Sequence, residues 1–247
     1  MALIDKFEHY YRCEEASGDL VDAIGSLDFT AVNSPLGETG IQGQGRGFFG
    51  GDYLHVGDDA DLDFSNGSFF FHLWVKQNAS PSTAQYVINK SSSGNANTAE
   101  FRLTTSVAGQ DELDFSVGDG SSNVTVEASK ALTSSTWHRV YCGLDANLGQ
   151  LFLRLDDEAP VTASFSLTRQ NLTDDMFIGA LRSTNPNFPW VGVMDEIGWG
   201  RNALLTPDEL SWLYNGRQGR SYSDIQGYAG NYPTKKTTHL HRLLLLG

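Results

Sequence analysis

Acids two residues apart on an extended run lie on one face of a strand, and Glu112-Leu-Asp-Phe-Ser116 places Glu112 and Asp114 in that way. Two carboxyl groups about 5 Å apart are what retaining glycoside hydrolysis requires. A second acidic run, Asp59-Ala-Asp-Leu-Asp63, offers the hard oxygen ligands that suit calcium. It lacks the glycine after the third acid and the closing glutamate of a calcium loop, so it reads as a solvated acidic loop. There is no Gly-x-Ser-x-Gly elbow, no His-Glu-x-x-His and no phosphate-binding loop.

Recognition chemistry has two candidates. In Phe69-Phe-Phe-His-Leu-Trp-Val75, alternation puts Phe70, His72 and Trp74 on one face and Phe69, Phe71, Leu73 and Val75 on the other. If the first face is open, His72 and Trp74 form a sugar platform with Phe70, and Arg102 lies nearby. If it is covered, the whole run is core, which its continuous apolar character favours. The second candidate is the polar loop Arg182-Ser-Thr-Asn-Pro-Asn-Phe-Pro189, where Asn185, Asn187 and Phe188 are placed for ligand contact. Cys13 and Cys142 read as two core thiols, with a pairing left open. Asn66, Asn78, Asn123 and Asn171 match the glycosylation pattern, a weak signal in loops rich in Asn, Ser and Thr.

These residues must be positioned by strands. Runs such as Glu100-Phe-Arg-Leu-Thr104 and Leu151-Phe-Leu-Arg-Leu155 alternate as half-buried strands do. Asp119-Gly120, Asp156-Asp157 and Asp145 to Gly149 mark the turns between them. One helix is expected after Thr206, which caps Pro207-Asp-Glu, with Leu210, Leu213 and Tyr214 at helical spacing and Gly216 as the stop. The 247 residues, 11% of them aromatic, suit one all-β sandwich. The net charge of −13 argues against nucleic acid, and no stretch is apolar enough to insert into a membrane. The charge is uneven. From Arg217 onward five basic residues face one acid, so that segment carries +4 and the rest −17.

The landmarks, in order, are Tyr10-Tyr-Arg-Cys, Val21-Asp-Ala-Ile-Gly25, Phe69 to Lys76, Trp137-His-Arg-Val140, Trp190-Val-Gly-Val-Met-Asp-Glu-Ile197 and Thr206-Pro-Asp-Glu-Leu-Ser-Trp-Leu-Tyr214. This set resembles the laminin G-like branch of the concanavalin A-like lectin/glucanase jelly rolls. The resemblance implies two antiparallel sheets packed face to face with one short C-terminal helix, over a domain of residues 1–216. Sugar-cleaving relatives of the laminarinase type carry Glu-x-Asp-x-(x)-Glu; here Ser116 and Val117 replace the second glutamate, so no enzyme is expected. Relatives that hold calcium at a rim point to Asp22 and Asp195 as metal ligands. The alternative is that both cap backbone amides. The five tryptophans read as core anchors, with Trp212 sealing the helix onto a sheet.

The opening Met-Ala-Leu-Ile-Asp-Lys-Phe-Glu carries no apolar run, so no export signal is expected. The function expected is a non-catalytic binding or adhesion module for a glycan or surface protein. It would be carried on a larger assembly such as a phage or viral fibre, tail or decoration protein, on a virion or cell exterior. The basic 217–247 tail would dock onto a neighbouring subunit or virion protein. A purely structural packing sandwich is the alternative, and a glycoside hydrolase the third.

Overall fold

A computed structural model describes residues 2–64, 67–78, 83–91, 93–106, 111–181 and 188–230. The strands, in chain order, are β1 (His9–Tyr11), β2 (Thr30–Val32), β3 (Leu36–Thr39), β4 (Gln44–Phe49), β5 (Tyr53–Val56), β6 (Phe69–Gln77), β7 (Tyr86–Ser91) and β8 (Ala99–Thr105). They continue as β9 (Leu113–Gly118), β10 (Asn123–Glu127), β11 (Trp137–Asp145), β12 (Gln150–Leu155), β13 (Val161–Ser164), β14 (Met176–Ile178) and β15 (Val191–Arg201). They form two antiparallel sheets. One has eight strands in the order β13-β12-β11-β6-β15-β4-β3, with β1 also on β15; the other has seven, β10-β9-β8-β7-β14-β5-β2.

Alternation decides the core. Phe69, Phe71, Leu73 and Val75 of β6 point between the sheets, where they meet Phe101 and Leu103 of β8, Phe115 of β9 and Trp199 of β15. On the opposite face of β6, Phe70 joins a second cluster with Phe7, Tyr141, Leu210, Leu213 and Ile225. The central strand is therefore apolar on both faces because the outer face of the eight-stranded sheet is covered by the N-terminal segment and two helices.

The first helix, α1 (Pro207–Tyr214), begins with a full capping box. Thr206 Oγ1 accepts from the Glu209 N–H (3.3 Å), and Glu209 Oε2 accepts from the Thr206 N–H (2.6 Å). Leu210 and Leu213 are buried, each stabilising the fold by roughly 1.5–3 kcal/mol. The helix ends at Asn215 in the left-handed conformation, one residue before the glycine expected to stop it. A second helix, α2 (Tyr222–Gly227), was not expected from the sequence. Ser221 caps it, Ile225 is buried, and Tyr228 beyond it meets Trp212 with ring centroids 4.4 Å apart. Trp212 thus packs on this segment. Arg217 reaches Asp156 of the β12–β13 turn (3.3 Å). Residues 217–230, assigned by sequence to the tail, accordingly complete the cover of the sheet, while 231–247 lie outside the described residues. Trp137 is half-buried under the Lys76 ammonium, whereas Trp74, Trp190 and Trp199 are core. Among the described residues, Cys13 and Cys142 are free, buried thiols, and no helix is long and apolar enough to cross a membrane.

Candidate functional site

The outer face of the seven-stranded sheet differs from that of its partner. Where Phe101, Leu103 and Phe115 point inward, Arg102, Thr104 and Asp114 point the other way. With Tyr86 at the start of β7 and Phe188 ahead of β15, they line a cleft of about 410 Å³. The Tyr86 N–H donates to the Phe188 carbonyl (3.0 Å), which sets the two rings 6.0 Å apart at 39°. Tyr86 is buried, but Phe188 is 42% exposed. Arg102 Nη1 donates to the Gly94 carbonyl at 3.0 Å and lies 3.5 Å from the Tyr86 hydroxyl, so the guanidinium is held beside the aromatic pair.

The acidic side of the cleft is built by register. Asp114 stands opposite Thr104 on β8 and opposite Glu127 on β10. Burial, reinforced by the charges of Glu127 and Glu112 and eased by Arg102, pushes the Asp114 carboxyl up to about 6. Among the described residues, Arg102 Nε, Asp114 Oδ1 and Glu112 Oε2 are buried without a hydrogen-bond partner. A buried polar atom left unmatched costs about 1–3 kcal/mol. Two of the three belong to Arg102 and Asp114, which line the cleft, and this suits a ligand rich in hydroxyl groups. Two residues along β9 from Asp114, Ser116 Oγ sits 2.8 Å from Thr125 Oγ1. The position where a second glutamate would complete a catalytic row is thus a hydroxyl pair.

The structure separates the other sequence candidates. Phe70, His72 and Trp74 do share a face, but they are 0–1% exposed. Trp74 stacks on Tyr214 of α1 (5.9 Å, 2°), and Phe70 and His72 pack against Phe7 at 5.2 and 6.1 Å. Burial, with the Arg139 charge beside it, drives the His72 imidazole down to about 3, so it is neutral. A sugar platform on this face is thus corrected to core, because apolar residues from α1 and the N-terminal segment cover it. Arg102 is not near it but on the opposite outer face of the sandwich. Phe188 joins the cleft; Asn185 and Asn187 lie outside the described residues. Tyr86 was not anticipated, and Asp114 was weighed only for catalysis. The signal for the cleft was the polar phase of Glu100-Phe-Arg-Leu-Thr104 read against that of β9.

Asp22 and Asp195 do not fit a calcium site. Asp22 accepts from the N–H groups of Tyr10 (3.1 Å), Ile24 (3.1 Å) and Leu27 (3.3 Å) and lies 2.6 Å from His9 Nδ1. Burial opposes its charge, but these bonds outweigh burial and hold the carboxyl below its usual value. Asp195 accepts from Ile41 (2.8 Å), Gln42 (3.1 Å) and Glu196 (2.8 Å). Even so, burial raises it to about 8. Carboxylate lone pairs aimed at N–H donors are not free for a cation, and among the described residues no group of three metal-binding side chains comes together. Both acids are backbone caps, Asp195 fastening the β3–β4 turn to a bulge in β15. The acidic 59–63 run is not simply solvated either: Asp61 pairs with Arg201 (3.3 Å), and Asp63 approaches the buried Lys90 (3.9 Å).

Residues 48–211 match the family profile described as the concanavalin A-like lectin/glucanases superfamily, and the chain belongs to that superfamily. No curated protein matches it in sequence. Among solved structures it is similar to the botulinum neurotoxin serotype D binding domain (TM-score 0.65, 14% identity, 86% of this chain and 52% of that one). It is also similar to domain 4 of AbnA, an extracellular arabinanase from Geobacillus stearothermophilus, in complex with arabinotriose (0.63, 15%, 87% and 98%). A third is Trypanosoma rangeli sialidase in complex with sialic acid (0.64, 13%, 88% and 34%). The chain spans about half the length of the neurotoxin binding domain. At these identities the likeness concerns the fold: a jelly roll shared by carbohydrate- and receptor-binding domains, some of them parts of enzymes.

Proposed function

We propose that this chain is a non-catalytic glycan-binding module that holds its ligand in the Tyr86/Arg102/Asp114/Phe188 cleft. The observation that carries the reading is the aromatic pair set beside a guanidinium and a carboxyl with unmatched polar atoms. Sugars are bound by apolar contact with ring C–H faces and by paired donors and acceptors for hydroxyls, and sites of this kind combine apolar walls with a few placed polar groups. The arabinotriose complex of a similarly folded domain supports the assignment, as does the neurotoxin binding domain. Catalysis is disfavoured because Ser116, engaged with Thr125, stands in place of the second acid. Display on a larger assembly, such as a phage or viral fibre, tail or decoration protein, is the setting we assign to such a module. Its docking segment would fall within residues 231–247.

A glycan array followed by calorimetric titration of the best ligand tests the reading. Arg102→Ala and Phe188→Ala should each weaken binding about tenfold, equivalent to about 1.4 kcal/mol, with unchanged circular dichroism. Incubation with laminarin should release no reducing ends. Binding that ignores both substitutions, or an array with no ligand, would overturn the proposal.

A further inference from the structure

Resting on that reading, we infer that the cleft selects uncharged glycans and rejects sugars that carry a carboxylate or a sulfate. The selection comes from which charged groups the sheet brings to the site. From β8 it receives Arg102; from β9, Asp114, with Glu112 just ahead of that strand; from β10, Glu127, directly opposite Asp114. Arg102 and Asp114 line the cleft itself, and Glu127 and Glu112 act on it through their charge on Asp114.

The base is also committed. Arg102 Nη1 donates to the Gly94 carbonyl at 3.0 Å, with the Tyr86 hydroxyl at 3.5 Å, and Nε is buried, so one edge of the guanidinium is engaged and the other is partly enclosed against an incoming anion. A carboxylate repays its desolvation best through a bidentate fork. A neutral diol needs none. One sugar hydroxyl can accept from an Arg102 N–H while its neighbour donates to Asp114, whose Oδ1 is buried without a partner. Like charges placed together are costly, and that cost produces specificity without any loss of affinity for the neutral ligand. The chain as a whole carries the same sign, −13 overall.

The arrangement also gives a pH signature. Asp114 titrates near 6, held up by burial and by the charges of Glu127 and Glu112 against Arg102. As it ionises it becomes a better acceptor for a hydroxyl and a stronger repeller of an anion. Raising the pH from 5 to 7.5 therefore widens the preference.

Neutral and acidic pairs test this on the full chain: lactose against 3′-sialyllactose, which adds one carboxylate, and galactobiose against digalacturonate, which adds two, titrated calorimetrically at pH 5.0 and 7.5. The neutral member of any pair that binds should bind at least tenfold tighter at pH 7.5, with a smaller ratio at pH 5.0. Asp114→Asn should remove the pH dependence of the ratio, and Glu127→Gln, at an exposed edge position, should narrow the ratio without harming the fold. An acidic member that binds as well as its neutral partner overturns the selectivity and leaves glycan binding standing. Binding by neither member of either pair, together with an empty neutral array, overturns the glycan reading and this inference with it.

Discussion

Replacing Trp74 by alanine separates the two roles its strand could have had. In the fold, Trp74 is 1% exposed and lies parallel to the Tyr214 ring at 5.9 Å, so it joins the central strand of the eight-stranded sheet to the end of α1. Truncating a buried tryptophan costs about 3–5 kcal/mol, stacking contribution included. For a chain of this size, each kcal/mol lowers Tm by about 2–4 °C, so the variant should melt about 6–20 °C lower. Part of the α1 anchorage survives, because the buried Arg139 guanidinium still donates to the Leu210 carbonyl. Thermal unfolding followed by circular dichroism measures the shift, and glycan titration well below the transition measures binding. The expected result is a large loss of stability with affinity within twofold of the wild type. A variant that melts within 2 °C of the wild type but no longer binds would refute the placement of Trp74 in the core and restore the platform on β6.

A second outcome concerns pH. Burial raises Asp195 to about 8 and holds Glu196 well above the usual carboxylate value, so the native state keeps protons that the unfolded chain releases above about 4. Their stabilising contribution is full below the unfolded value and is lost as pH rises toward the native one. Denaturant unfolding of Glu196→Gln should show a shallower decline between pH 5 and 8 than wild type; parallel curves would count against a protonated Glu196. Third, Thr206→Ala removes the side-chain half of the α1 capping box and should cost about 1 kcal/mol. A change below a few tenths in the same assay would mean that Lys6, 2.7 Å from Glu209, holds the helix start without the cap.

Most of the fold was legible because its signals are local. Alternation in Glu100-Phe-Arg-Leu-Thr104 predicts β8, and Thr206-Pro-Asp-Glu predicts both the start and the cap of α1. The buried face of β6 was legible only as a choice between two readings. What decides it is Phe7, some sixty residues earlier in the chain, and Leu210, well over a hundred later. The helix α2 went unread because its six residues carry one buried apolar side chain, too few for a period to show. The cleft was harder still: Tyr86, Arg102, Asp114 and Phe188 come from four separate stretches, brought together by the pairing of β7 with β8 and of β8 with β9 and by the bond from the Tyr86 N–H to the Phe188 carbonyl. Asp22 and Asp195 illustrate the reverse case. A carboxylate near a turn looks the same in sequence whether it will hold a cation or a set of amides.

Among the described residues, the cover over the outer face of the eight-stranded sheet has a geometric consequence. Leu3 and Phe7 near one end of the described chain and Ile225 and Tyr228 near the other belong to the same cluster, on the far side of the sandwich from the cleft. Any tether continuing from either flank leaves from the back of the molecule. Copies held side by side by such tethers would turn all their clefts outward together, like cups on one tray. A weak single-site affinity would then become strong attachment to a surface that repeats the sugar, with linker reach setting the gain.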